Sequence, residues 1–226
     1  MVPCRNVNNN GYTGVLTFST GTELSQVNVT NSEISRNFVG PMPNSHNRGA
    51  GICIWAIGGK CKVVYDDVTS RYNNIAANAA GINSACKDID ITMKDVTASN
   101  NGNNGWGINV GSDSATINLE GTITSSHQGT GMLVSGFDGV ILNVKGNLNL
   151  GTNDIGFSPL IEKLDASFSV VVEEGGSFQT CGNEEYDIQT DGEGKGTLTW
   201  TGKFICDQTK VDVGATGNAP NCEPCP

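Results

Sequence analysis

The sequence predicts an all-β chain wound as a parallel β-solenoid, and three observations carry that expectation. First, short apolar-alternating triplets recur: Val27-Asn28-Val29, Val63-Val64-Tyr65, Ile91-Thr92-Met93, Ile117-Asn118-Leu119, Leu142-Asn143-Val144, Val170-Val171-Val172 and Leu198-Thr199-Trp200. Their last residues lie 36, 28, 26, 25, 28 and 28 positions apart. That is about one solenoid turn per step, with alternate residues facing one side. Second, a parallel column follows polar, Gly-containing turns: Ile52, Ile82, Ile108, Met132 and Phe157, separated by 30, 26, 24 and 25 positions. Third, the chain carries 30 Gly, 6% aromatic and 16% charged residues. Several windows carry helical spacings of three or four, but Gly and Asn interrupt them too often, while Val, Ile and Thr crowd the triplets.

The elements follow in order. The whole of 1–226 reads as one β-helix domain, since a repetitive architecture uses this length as a single unit. Residues 1–24, with Val15-Leu16-Thr17-Phe18, form an N-terminal cap, because an open solenoid end exposes strand edges. Coils occupy 25–205, about seven of them. The first carries an excursion over 40–49, rich in Pro, Asn and Gly, and 99–105 reads as a turn. Residues 206–226 form a C-terminal tail.

The residues after the triplets are Thr30, Asp66, Lys94, Glu120, Lys145, Glu173 and Thr201. With coils about 4.8 Å apart, Asp66–Lys94–Glu120–Lys145–Glu173 would stack as a charge ladder. That gives these acids a structural duty rather than a catalytic one. Asn118 and Asn143 are expected to form a small exposed amide stack.

Eight cysteines point to an oxidising compartment and a disulfide framework: Cys4, Cys53, Cys61, Cys86, Cys181, Cys206, Cys222 and Cys225. The count leaves 105 complete pairings open. One coil of spacing sets Cys61 beside Cys86 and Cys181 beside Cys206. Cys4 with Cys53 would then fasten the cap, and Cys222 with Cys225 the tail. The Cys222-Glu223-Pro224-Cys225 spacing lacks a βαβ context for redox chemistry and a second CxxC for zinc. It reads as a disulfide-stabilised terminus. Asn28-Val29-Thr30 is a glycosylation sequon, with Asn28 the candidate acceptor.

The two apolar columns resemble the right-handed parallel β-helix superfamily, which includes pectate lyases, polygalacturonases, phage tailspike domains and extracellular repeat proteins. The resemblance spans roughly 25–205 and implies the right hand. It also implies either contact with polysaccharides along an elongated face or a role as an adhesive or structural rod. Polygalacturonases share an Asn-Thr-Asp segment, paired aspartates, a Gly-His-Gly segment and a later Arg-Ile-Lys segment. Here the counterparts are Thr152-Asn153-Asp154, Asp66-Asp67 and Ser126-His127-Gln128-Gly129, in a different order and with no Arg-Ile-Lys. No specific enzyme motif is matched and no catalytic residue is carried over.

Other chemistry is thin. Asp66, Asp67, Asp88, Asp90 and Asp95 are the acids to test for paired or cation-binding geometry, with Asp67 and Asp95 at one coil position. His127 and His46 read as turn residues. Trp55, Trp106 and Tyr72 offer aromatic surface for a sugar ring, or packing. No catalytic, cofactor or metal residue is assigned.

A formal net charge of −10 disfavours nucleic acid. No run of 18 apolar residues offers a membrane span. Residues 2–6 are too polar for a signal peptide, as in a mature extracellular segment. The expected function is a noncatalytic extracellular or cell-surface structural or adhesive module, partnered by a polysaccharide, a surface or matrix protein, or its own copies. The alternatives are a carbohydrate lyase or hydrolase and an ice-binding solenoid. Against the last, Thr122-Ile123-Thr124 and Thr197-Leu198-Thr199 do not continue across the coils between them.

Overall fold

Each coil is bent into three short strand segments, and every pairing is parallel, so successive coils stack into three faces. The structure, a computed structural model, describes residues 6–8, 14–19, 25–37, 51–73, 80–102, 105–190, 196–214 and 219–226. Cys4, His46 and the 40–49 excursion lie outside the described residues, as does most of the 1–24 cap.

Face 1 begins with Val15–Ser19, runs through 52–56, 82–86, 106–112 and 130–136, and continues as Ile155–Ile161, Tyr186–Gln189 and Val211–Asp212. Face 2 stacks 25–30, 60–66, 88–94, 114–120 and 139–144, then Ser167–Val172 and Thr197–Thr201. Face 3 runs from Asn6–Asn8 through 33–35, 68–71, 96–99 and 123–126 to Asn147–Asn149, Ser177–Gln179, Phe204–Ile205 and Cys222–Glu223. The result is a right-handed all-β parallel solenoid of about seven coils.

Both apolar columns are in register. Ile52, Ile82, Ile108, Met132, Phe157 and Ile188 line face 1 from inside, each fully buried. Val63, Ile91, Ile117, Leu142 and Val170 do the same on face 2. Face 3 contributes Val68, Val96, Ile123, Leu148, Phe178 and Phe204. Apolar side chains stack on apolar side chains from coil to coil, which fills a narrow interior.

The last triplet departs from the expected alignment. Trp200 stands opposite Val170, not Val172, two residues out of line. A shift of two keeps the same residues inside, so the core survives it. Trp200 then meets Phe157 and Phe204 edge-on at centroid separations of 6.2 and 5.4 Å, in an aromatic plug completed by Phe168 and Phe178.

The corner between face 3 and the next face 1 follows one rule. Arg36, Tyr72, Asn100, His127 and Thr152 have φ between 54 and 59°, and Gly182 has φ 79°. Each left-handed residue turns the following side chain inward. Those side chains are Asn37, Asn73, Asn101, Gln128, Asn153 and Asn183, all buried. They bond in sequence: Asn37 Nδ2 donates to Asn73 Oδ1 (3.0 Å), and Asn73 Nδ2 to Asn101 Oδ1 (3.0 Å). The backbone N–H groups of Asn101, Gln128 and Asn153 donate to the side-chain oxygens of Gln128, Asn153 and Asn183 at 3.2, 3.3 and 3.0 Å. The ladder thereby satisfies backbone groups that this sharp corner would otherwise strand in coil after coil.

Cys61 and Cys86 are bonded across the corner between faces 1 and 2, with Cα atoms 6.1 Å apart. The expected Cys181–Cys206 pair is corrected: Cys181 is bonded to Cys225 and Cys206 to Cys222. The register explains it. Gln179 stands opposite Ile205, which sets Cys206 beside Thr180 rather than beside Cys181. A one-residue offset points the two sulfurs to opposite sides of the strand. The Cys222–Cys225 pairing is likewise replaced, its two cysteines taking separate partners. Among the described residues Cys53 is a free, buried thiol that accepts a bond from Asn83 Nδ2 at 3.5 Å, and its expected partner Cys4 lies outside them. Burial pushes that thiol's pKa up.

Candidate functional site

The outward side chains of face 2 and its corner carry the acids flagged in the sequence, and the structure gives each except Asp90 a partner or a turn. Thr30, Asp66, Lys94 and Glu120 fall in one register. Lys94 Nζ lies 3.8 Å from Asp66, and Lys145 Nζ lies 4.0 Å from Glu120. Asn143 Nδ2 donates to Asn118 Oδ1 at 3.1 Å beside them. The amide stack is present, and of the expected charge ladder two ion pairs form, Asp66–Lys94 and Glu120–Lys145, with no ion pair among the described residues joining Lys94 to Glu120 or Lys145 to Glu173.

Asp67 and Asp95 occupy the corner between faces 2 and 3 with φ 55° and 51°, in line with Asn31 at 48° and Gly121 at 61°. Asp and Asn tolerate this left-handed geometry better than most residues. Asp95 Oδ1 accepts the Thr122 N–H at 2.9 Å and lies directly over Gly121, where a β-carbon would collide with it. These aspartates shape a turn. They do not converge with Asp66 or Asp88 into a group of three ligands.

Asp88 and Asp90 remain, and they line a groove on face 2. This groove, about 530 Å³, crosses face 2 over Lys60, Asp88, Asp90, Ser114, Thr116, Ile141 and Ser167. Asp88 is paired with Lys60 at 3.6 Å, and Asp90 is exposed. A general acid for glycoside cleavage needs a carboxyl desolvated by apolar walls. Neither aspartate is so enclosed.

Another groove, about 350 Å³, lies on face 1 between Trp55 and Phe137, with Ala85, Lys87, Gly111, Asp113 and Ser135 among its lining residues. Trp55 and Phe137 are 37% and 38% exposed. Of the other aromatics named from sequence, Trp106 is half-buried at the start of a face 1 segment, and Tyr72 is a left-handed corner residue. Phe137 has no sequence signal that sets it apart from the other phenylalanines.

His127 is also a corner residue, φ 59°, with Nδ1 3.2 Å from Ser126 Oγ. No carboxylate pairs with it among the described residues. One trio with metal-ligand chemistry does come together: the ligand atoms of Cys181, Asp187 and Cys225 lie within 4.8 Å of one another. The two sulfurs are bonded to each other. Asp187 accepts Asn183 Nδ2 at 2.9 Å and the Asp207 N–H at 2.6 Å. It terminates the amide ladder. These donors do not fit a resident metal, because a thiolate site needs its sulfurs free.

Asn28 projects outward on face 2, exposed, with Gln26 Nε2 3.4 Å from its Oδ1. No helix among the described residues is long and apolar enough to cross a membrane. Comparison with family models, with curated proteins and with solved structures finds no match.

Proposed function

We propose that the protein is a noncatalytic extracellular module, a stiff rod that presents its side faces to a surface or matrix partner. The observation that carries this reading is the employment of its carboxylates. Asp66, Asp88 and Glu120 pair with lysines across coils, Asp95 caps a turn, and Asp187 closes the ladder. Rigidity follows from the continuous amide ladder and three disulfides, and the disulfides favour an oxidising compartment. Exposure of Asn28 agrees with a glycan there.

The test is prolonged incubation with polygalacturonate, xylan and β-glucans, followed by assays for new reducing ends and for unsaturated uronides. Inert substrates support the module. Chain scission that Asp88→Asn or Asp90→Asn abolishes would replace it with an enzyme.

A second reading rests on face 3, where Thr69, Thr97 and Thr124 form one outward column that Asn149 and Gln179 continue. Such a flat row suits an ordered lattice of water, as in an ice-binding solenoid. Thermal hysteresis lost in Thr97→Lys would favour it.

A further inference from the structure

The face 1 groove has a composition that the neighbouring faces lack. In register, Trp55 is followed by Ala85, Gly111 and Ser135, one per coil. Three successive small residues lower the floor. Phe137, two residues past Ser135 on the same coil, at the corner towards face 2, rises at the far end. Three coil steps separate the aromatic coils, about 14 Å along the axis. Lys163 Nζ lies 6.0 Å from the Phe137 ring centroid and pairs with Asp138, which steadies that end of the trough. Lys87 and Asp113 stand on the rim, and Ser135 supplies a hydroxyl on the floor.

We propose that this trough is a binding site for an extended neutral glycan, lying along the coil axis with sugar rings against Trp55 and Phe137. The inference rests on the module reading above and names its partner. A pyranose ring has an apolar face that stacks on an aromatic ring, and an edge of hydroxyls that seeks donors and acceptors. Here aromatic rings close the ends while Lys87, Asp113 and Ser135 supply polar atoms between them. The repeat of an extended pyranose chain is close to the coil spacing, so successive sugars meet successive coils. The volume is in the usual range for small-molecule sites, roughly 300–1,000 Å³. Charge selects among glycans: the lining holds one lysine and one aspartate in a chain of net charge −10, which disfavours a polyuronate.

The experiment is calorimetric titration of the full chain with cellohexaose, laminarihexaose, mannohexaose and, as the anionic contrast, hexagalacturonate. The expected result is binding of at least one neutral hexasaccharide more tightly than hexagalacturonate. Trp55→Ala and Phe137→Ala should each weaken it about tenfold, the scale of one aromatic contact. Gly111→Leu, which fills the floor without removing an aromatic, should do the same. Tyr72→Ala, an exposed aromatic outside the groove, should leave affinity unchanged. The proposal is overturned if no neutral hexasaccharide binds, if hexagalacturonate binds best, or if wild-type affinity persists in all three groove variants. Chromatography of the same mixtures separates the two readings. Cleaved sugar refutes the noncatalytic module, whereas absence of binding without cleavage refutes the groove alone.

Discussion

Asn73 and Asn101, 28 residues apart in sequence, meet inside the solenoid, where the Asn73 side-chain amide and backbone N–H both donate to Asn101 Oδ1, at 3.0 and 3.1 Å. Asn101 Nδ2 returns a bond to the Ser70 carbonyl at 2.9 Å. Removing the amide takes the side-chain acceptor from the Asn73 N–H and the side-chain donor from the Ser70 carbonyl, while Asn73 Nδ2 keeps the Ile34 carbonyl and Ser70 Oγ. Asn101→Ala should therefore cost about 3 kcal/mol, from one or more unsatisfied groups. The half-exposed pair Asn118–Asn143 bonds similarly but faces water, and Asn118→Ala should cost about 0.5 kcal/mol. Urea unfolding of the two variants side by side measures the contrast.

The lysine ladder is weak pair by pair and informative as a row. Lys94→Glu would set three carboxylates in succession up face 2, the new one between Asp66 and Glu120. A loss of about 1 kcal/mol is expected at low salt, shrinking as salt screens it. Thermal melts across a salt series would register both effects.

Three disulfides are expected in nonreduced peptide maps: Cys61–Cys86, Cys181–Cys225 and Cys206–Cys222. A Cys181–Cys206 peptide would contradict the register of the last coils. Replacing Cys61 and Cys86 together by Ser should cost about 3 kcal/mol for a loop of this length.

Tyr65 reaches across the interior, its hydroxyl 2.8 Å from Ser84 Oγ. Burial raises its phenol well above the ordinary value, and the Ser84 bond offsets a little of that. The fold thus holds the neutral phenol, and its contribution is complete below the unfolded pKa of about 10. It is lost as pH climbs beyond, because the unfolded chain releases the proton first. Tyr65→Phe should lower stability at neutral pH by about 1 kcal/mol, through the stranded Ser84 hydroxyl. It should also flatten the alkaline decline, which denaturant titrations above about pH 10 would show.

The interior columns are legible in the sequence because alternation is local: Ile52, Ile54 and Ala56 announce a face within one short segment. The amide ladder is not, although Asn37, Asn73, Asn101, Gln128, Asn153 and Asn183 keep the coil spacing. Each supplies one polar residue to a polar turn, and a lone Asn there looks like ordinary turn chemistry. Its companion signal is the residue before it, since Tyr72, His127 and Thr152 share a backbone angle and no side-chain chemistry. His127 therefore invites a catalytic question that its backbone answers. The C-terminal disulfides escape the spacing argument for another reason. Spacing counts residues, whereas sulfur reach depends on which side of the strand each residue faces, and one residue of offset reverses it. The face 1 groove is half visible: Trp55 stands out, but the depth depends on the alignment of Ala85, Gly111 and Ser135 across three coils.

A high-resolution density map of natively purified protein, with its glycans, cations and neighbours retained, tests the central claim most directly. The expected map shows Asp66–Lys94 and Glu120–Lys145 paired, Asp88 against Lys60, and any saccharide on face 1 between Trp55 and Phe137. A saccharide or coordinated cation held between Asp88 and Asp90 on face 2 would contradict the claim and identify an enzyme.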